Sequence, residues 1–328
     1  MPQLDTYTQL RQAEDVQDEI FNISPIDNPV VAMSQTVQAT GKIHEWTEDI
    51  LQPARENALV EGADAGDDTS EPVVERQNYC QIMGEVARIT NTLEAVRKYG
   101  RDSEMAYQLE LKYGKLANDL ELAVMGNPTD GAGAQQGRQV KTPGDGTTPR
   151  KMGSFYDQID ESVIKYCTTD GSSGGTAIST TQELEATLLS AHLATYQAGG
   201  DPRYAVTDPL TAGYFASFAL SAGRNRDIEQ KALINCVDLY VSTYGEVSVV
   251  LDRNMTQNDG DALTGDNAIA LIDFNYTANG VLRATDDWEL ARTGDAENRQ
   301  ILREGTFAVL NSKAHALVDA VPIDLTTA

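Results

Sequence analysis

The sequence predicts an α+β protein with extended appendages. Three observations carry that reading. The stretch "IFNISPIDNPVVAM" (20–33) holds two prolines that exclude a continuous helix; residues 102–125 carry a long apolar stripe at helical spacing; and the C-terminal half consists of strand-like runs without the regular strand-helix alternation of a doubly wound sheet.

Residues 1–19 are polar and acidic, and Pro25 and Pro29 push the following backbone toward extended conformations. The segment 1–33 therefore reads as an arm, anchored by Ile20, Phe21, Ile23, Val30 and Val31. Residues 34–50 mix β-branched and polar positions in loose alternation, which suits a half-exposed β-ribbon. The acidic, glycine-bearing stretch "VEGADAGDDTSEPVVE" (60–75) reads as the mobile tip between two antiparallel legs.

Within 102–125, Met105, Leu109, Tyr113, Leu116, Leu120 and Val124 fall at steps of three and four residues, and Asp102 or Ser103 supplies the N-cap. At 1.5 Å per residue this helix should be about 35 Å long. Gly126 and Pro128 end it, and the glycine-rich passage to Pro149 reads as a long loop. Beyond it, "ESVIKYCTT" (161–169) is strand-like, Thr180-x-x-Glu183 is a capping box for a helix closing at Gly199-Gly200, and "LINCVDLYVS" and "EVSVVLD" flank "TYGE" as a hairpin. "NAIALIDF", "GVLRA" and "TFAVLNSKAHALV" complete a largely antiparallel sheet.

Composition narrows the function. With 50 acidic against 25 basic residues in 328, the formal charge is −25, so gripping nucleic acid through its phosphates is not this surface's main work. No apolar run reaches the roughly 18 residues of a membrane span, and no basic-apolar leader is present at the N-terminus, so neither membrane insertion nor export is expected. Cys80, Cys167 and Cys236 lie far apart in sequence and read as small buried hydrophobes.

No enzyme site survives inspection. Gly171 to Gly175 fit G-x-S-x-G around Ser173, with His315 later in the chain, but they sit in a soft Gly/Ser/Thr loop with no run of buried strands before it. Gly131-x-Gly133-x-x-x-Gly137 is one residue too long for a phosphate loop and follows a helix end. Ser162-x-x-Lys165 lacks the other penicillin-binding motifs and reads as an exposed strand edge. "NDGDALTGDN" (258–267) lacks the ligand order of a calcium loop and reads as a hairpin loop. His44, His192 and His315 are isolated, with His192 a packing residue on the capping-box helix. The expected catalytic, cofactor-binding and metal sets are empty.

The ordered residues Ile20-x-Asn22-x-Ser24-Pro25-x-Asp27-x-Pro29, Glu45-Trp46-x-x-Asp49-x-Leu51 and Asn78-Tyr79-x-Gln81-Ile82, followed by Thr90, resemble a family of tailed-bacteriophage major capsid proteins with the Hong Kong 97-type fold. The helix Glu104 to Glu121, Arg150-Lys151-Met152-Gly153, Ala198-Gly199-Gly200, Tyr244-Gly245 and Gly294-Asp295-Ala296 extend the match over most of the chain. The resemblance implies an N-terminal arm (1–33), an extended loop (34–76), a peripheral domain (77–155) with the spine helix 102–125, an axial domain (156–265) and strands returning to the peripheral domain (266–328). Its assembly-interface candidates are Ile20, Phe21, Ile23, Pro25, Pro29, Val30, Glu45, Trp46, Asp49 and Arg150.

The implied function is a major capsid protein whose hexamers and pentamers form the icosahedral head of a virion, assembled in the host cytoplasm. Its implied partners are other copies of itself, a separate scaffolding protein, a portal, a decoration protein and packaged double-stranded DNA held without specific binding. The scaffold is expected as a separate protein because the arm leaves no room for a fused one. Where the family's arm reads Thr-Pro-Phe, this chain has Asn28-Pro29-Val30, without the aromatic anchor. The loop tip from Arg55 to Arg76 has no lysine, so the shell is expected to lack lysine cross-links. An encapsulin-like compartment shell is the near alternative, and a serine hydrolase using Ser173 the distant one.

Overall fold

The computed structural model describes residues 28–49, 51, 54–62, 64, 72–96, 98, 101–126, 138–169, 171, 175–221, 239–255, 267–292, 294–322 and 325–326. Ile20, Phe21, Ile23, Pro25, Ser173, Cys236, the glycines at 131, 133 and 137, and nearly all of 258–267 lie outside the described residues. In chain order the elements are α1 (Pro29–Met33), β1 (Gln35–Gln38), β2 (Ile43–Glu48), β3 (Val74–Tyr79), β4 (Gln81–Thr90), α2 (Asn91–Ala95), α3 (Glu104–Met125), α4 (Phe155–Gln158) and β5 (Ile164–Tyr166). There follow α5 (Thr181–Ala198), β6 (Tyr204–Thr207), α6 (Pro209–Ser221), β7 (Leu239–Val241), β8 (Glu246–Leu251), β9 (Asn267–Ile272), β10 (Thr277–Glu289), β11 (Ala296–Val309) and β12 (Ala316–Val321).

The start of the described chain corrects the expectation of an arm extended to residue 33. Pro29 opens a helical turn, α1, at the position where a missing N–H removes no intrahelical bond. The reading of 34–50 as one ribbon is also corrected. Only β2 pairs with β3, from Ile43↔Tyr79 to Glu48↔Val74, whereas β1 runs parallel to β10 from Gln35↔Ala278 to Gln38↔Val281.

α3 begins two residues later than predicted, with the Ala106 amide donating to Ser103 Oγ at 3.2 Å. It ends at Gly126, where a Cβ would lie 2.6 Å from the Asn254 carbonyl oxygen. The capping box at α5 forms as read: Thr180 and Glu183 exchange bonds, and Gly199 closes the helix at φ 95°, a left-handed conformation that glycine adopts without a Cβ penalty.

Two sheets organise the strands beyond the ribbon, with orders β1-β10-β11-β4 and β5-β12-β9-β6-β8-β7. The second is largely antiparallel as expected, through β12–β9, β6–β9 and β7–β8, but β5 with β12 and β6 with β8 are parallel. Its centre is β9, "NAIALI", buried at every residue; α5 packs on β12, and α6 on β8 and β9. A continuous apolar run of this kind belongs to a strand covered on both faces.

The described residues form two units. In the first (Gly84–Leu116 and Asp286–Leu302), Ala87, Ile89 and Met105 make a small core against Leu109. Its polar side carries Lys112 and Lys115 on Glu85, and a chain from Tyr113 through Asp287 to Arg299. In the second (Asp27–Met83, Ala117–Thr285 and Arg303–Ala328), Phe155, Leu184, Phe215, Ile269, Leu271, Phe307 and Leu317 are fully buried.

Candidate assembly surfaces

Residues 29–31, within the described part of the segment expected to be an arm, are seated on their own chain. Val30 is fully buried, its amide donating to Glu121 Oε1 at 2.8 Å while the Val31 amide donates to Oε2 at 2.9 Å. Glu121 is itself fully buried on α3. Its carboxylate thus occupies the free N–H end of α1, the end where helical turns stabilise negative charge. Pro29 is half-buried beside it.

The β2–β3 ribbon carries three of the predicted residues. Glu45 and Asp49 are exposed; Trp46 is half-buried, its ring 5.8 Å from that of His44. The loop leaving this ribbon exposes Leu51 (94%), Leu59 (78%), Val60 (81%) and Val73 (56%), and Val74 at the head of β3 is 53% exposed. The ribbon is fastened at both ends by polar residues that the patterning of the sequence did not single out as anchors. At one end, Asn78 Nδ2 donates to the carbonyls of Phe307 (2.6 Å) and Gly153 (3.2 Å), while its Oδ1 accepts from the amides of Gly153 (2.7 Å) and Tyr79 (2.8 Å). At the other, Glu48 accepts from Arg76 and from Ser312.

Arg150 donates to the carbonyl of Cys80 and to Glu304, which also receives Arg283 at 2.7 Å. Glu304 is 7% exposed, so this is a buried carboxylate neutralised by two guanidinium groups rather than a loose surface pair. Two motifs distant in sequence therefore meet here. Gln81 Oε1 accepts from Gln139 Nε2 (2.7 Å) and the Met152 amide (3.2 Å), joining Asn78-Tyr79-x-Gln81 to Arg150-Lys151-Met152-Gly153. Further along, Gly200 sits where a Cβ would be 2.9 Å from Ala314 Cα, and Asp295 accepts from Asn91 Nδ2 at 2.6 Å.

Among the described residues, His192, His315, Cys80 and Cys167 are packed into the fold. His192 is buried, with Nδ1 3.1 Å from Ser242 Oγ in the β7–β8 turn, and burial lowers its pKa. Lys165 Nζ donates to the Ser162 carbonyl at the sheet's β5 edge. Cys80 and Cys167 are buried thiols, burial pushing Cys167 up to about 12. Among the described residues no group of His, Cys, Asp and Glu has a metal-holding arrangement.

His315 is fully buried against Phe155, its Nδ1 accepting from the Asp273 amide at 3.2 Å, and burial lowers its pKa from 6.5 to about 4. The unfolded chain therefore takes up this proton first as pH falls. The resulting stability is complete above about pH 6.5 and is lost on descending to about pH 4, an expected loss of about 3 kcal/mol. Thermal unfolding across that window should show a shallower acid decline for His315→Gln than for the wild type.

The family model of the SU10 major capsid protein matches residues 3–322. The chain belongs to that family. A curated relative of this SU10-family capsid protein, the major capsid protein of Escherichia phage Phieco32, is 37% identical over 100 residues, covering 30% of this chain and 28% of the relative. The fold extends to solved structures of low identity. The capsid of a native GTA particle aligns with 96% of this chain and 96% of its own at 14% identity, with a TM-score of 0.60. The SrpI encapsulin of Synechococcus elongatus PCC 7942 aligns with 98% of this chain and 97% of its own at 10% identity, with a TM-score of 0.57. The capsid protein thus has the Hong Kong 97-type fold, as its sequence implied.

Proposed function

We propose that this chain is the repeated subunit of a phage head, forming hexamers and pentamers that close an icosahedral shell around double-stranded DNA. The observation that carries this reading is the apolar surface on one loop: Leu51, Leu59, Val60 and Val73 stand more than half exposed in the single subunit. Such a surface is covered when identical neighbours repeat around it. In this reading residues 1–33 form the arm and 34–76 the extended loop. Residues 77–155 and 266–328 build the peripheral domain, and 156–265 the axial domain. A scaffolding protein, a portal and a decoration protein are its proposed partners, and the host cytoplasm its place of assembly.

The charge of −25 suits an inner face that leaves packaged DNA free to eject. Many arginines are already engaged with carboxylates of the same chain: Arg76, Arg138, Arg203, Arg283, Arg292 and Arg299. With no lysine from Arg55 to Arg76, the shell holds by non-covalent contacts.

Electron microscopy of the expressed protein, with and without a co-expressed scaffold, tests the reading. Icosahedral shells that dissociate in SDS to 35.6 kDa subunits are expected. A monomer in every condition would sink it. The likeness to SrpI encapsulin favours a second reading, a compartment filled with protein cargo, but at 10% identity it reaches the fold alone. Nucleic acid rather than enzyme cargo in particles purified from infected cells decides for the head.

A further inference from the structure

The β2–β3 ribbon ends where Glu48 faces Val74, and the apolar loop departs from this point. Glu48 is 5% exposed and Ser312 1%. Glu48 Oε2 accepts from Arg76 Nε at 2.9 Å, and its Oε1 accepts from both the amide (3.2 Å) and the hydroxyl (2.7 Å) of Ser312. Arg76 Nη2 then donates to the same hydroxyl at 3.1 Å, closing a triangle. One carboxylate thereby binds the end of β2, the start of β3 and the turn between β11 and β12.

Ion pairs on open surfaces hold little, but this carboxylate is withdrawn from water and accepts three donors, one of them charged. The chain before it is fixed by backbone pairing, and the chain after it, at Asp49 and Leu51, is exposed. Resting on the shell function proposed above, we infer that Glu48 is a positioning residue: it fixes the direction in which the chain leaves the ribbon at Asp49, and so where Leu51, Leu59, Val60 and Val73 meet a second copy. A carboxylate at this point locks the direction by geometry, since its two oxygens are committed to groups on different elements.

Full-length wild type, Glu48→Gln, Glu48→Ala and Ser312→Ala can be compared by amide hydrogen exchange, trypsin cleavage and electron microscopy of the assembly products. In Glu48→Ala, exchange at the Ser312 amide and cleavage after Arg76 should each rise by about tenfold or more, while β9 keeps its protection. The shells should lose their uniform diameter. Glu48→Gln, which keeps an oxygen for Ser312, should lie between. Wild-type diameter and yield from a folded Glu48→Ala would overturn the inference. If Glu48→Ala loses β9 protection as well, Ser312→Ala decides: broadened diameters uphold the latch, and uniform shells reduce Glu48 to a folding residue. If the wild type itself forms no shells, the proposed function fails, and trypsin still decides the latch, because unchanged cleavage after Arg76 in Glu48→Ala refutes it.

Discussion

Subunits that begin at residue 28 are expected to fold as the full chain does and to form no shells, whereas subunits that begin at residue 34 should also lose stability. The difference lies in α1. Cutting at 28 leaves Val30 in its seat and both amides on Glu121; cutting at 34 removes a fully buried side chain and two donors from a fully buried carboxylate. Exposing the valine's seat costs about 1.5–3 kcal/mol, and withdrawing the amides from the charge adds roughly 1–3 kcal/mol. Urea denaturation separates the two truncations, and sedimentation with electron microscopy reads assembly. If the subunit beginning at 28 assembles normally, residues 1–27 are dispensable for the lattice.

Asn78→Ala should destabilise the subunit by about 3–5 kcal/mol, a large fraction of what holds a domain together. The side chain is fully buried and makes four hydrogen bonds, to Phe307, Gly153 twice and Tyr79. Truncation leaves these backbone groups without that partner in a place from which water is excluded. Gln158 also donates to the carbonyls of Gly153 and Phe307, so the loss at Asn78 and a loss at Gln158 should not add. Guanidinium unfolding of each single variant and of the double variant measures both statements. A cost below about 1 kcal/mol for Asn78→Ala would show that the network relaxes around the gap.

Local chemistry made much of this fold legible. The capping box at Thr180 and Glu183, the left-handed Gly199, the stripe on α3 and the β7–β8 hairpin all depend on residues a few positions apart, and all stand where the spacing placed them. Pro29 reads as a helix breaker because the turn it opens is only five residues, too short to show a helical period, although Asn28-Pro29 is an N-cap followed by a first-position proline. What else the sequence concealed depends on distant partners. The parallel pairs β1–β10, β6–β8 and β5–β12 join strands across connections whose return direction no local pattern records.

The same limit applies to the candidate site. Glu48, Asn78 and Glu121 are residue types that belong on surfaces until a buried donor is found for them. Asn78 and Arg150 did enter through the family resemblance, and the structure supplies their physical reason: Gly153, at the end of the Arg150 motif, exchanges bonds with Asn78.

The parallel strand β1 also sets a clock on synthesis. Ser34, just before it, places its hydroxyl 3.0 Å from that of Thr277, a residue 243 positions later. At roughly 5–20 residues per second, a ribosome needs on the order of 12–50 s to supply that partner. The four-stranded sheet therefore cannot close on a nascent chain that has not yet reached β10. Until β10 emerges, the pairing seen for β1 is out of reach and the four-stranded sheet stays open.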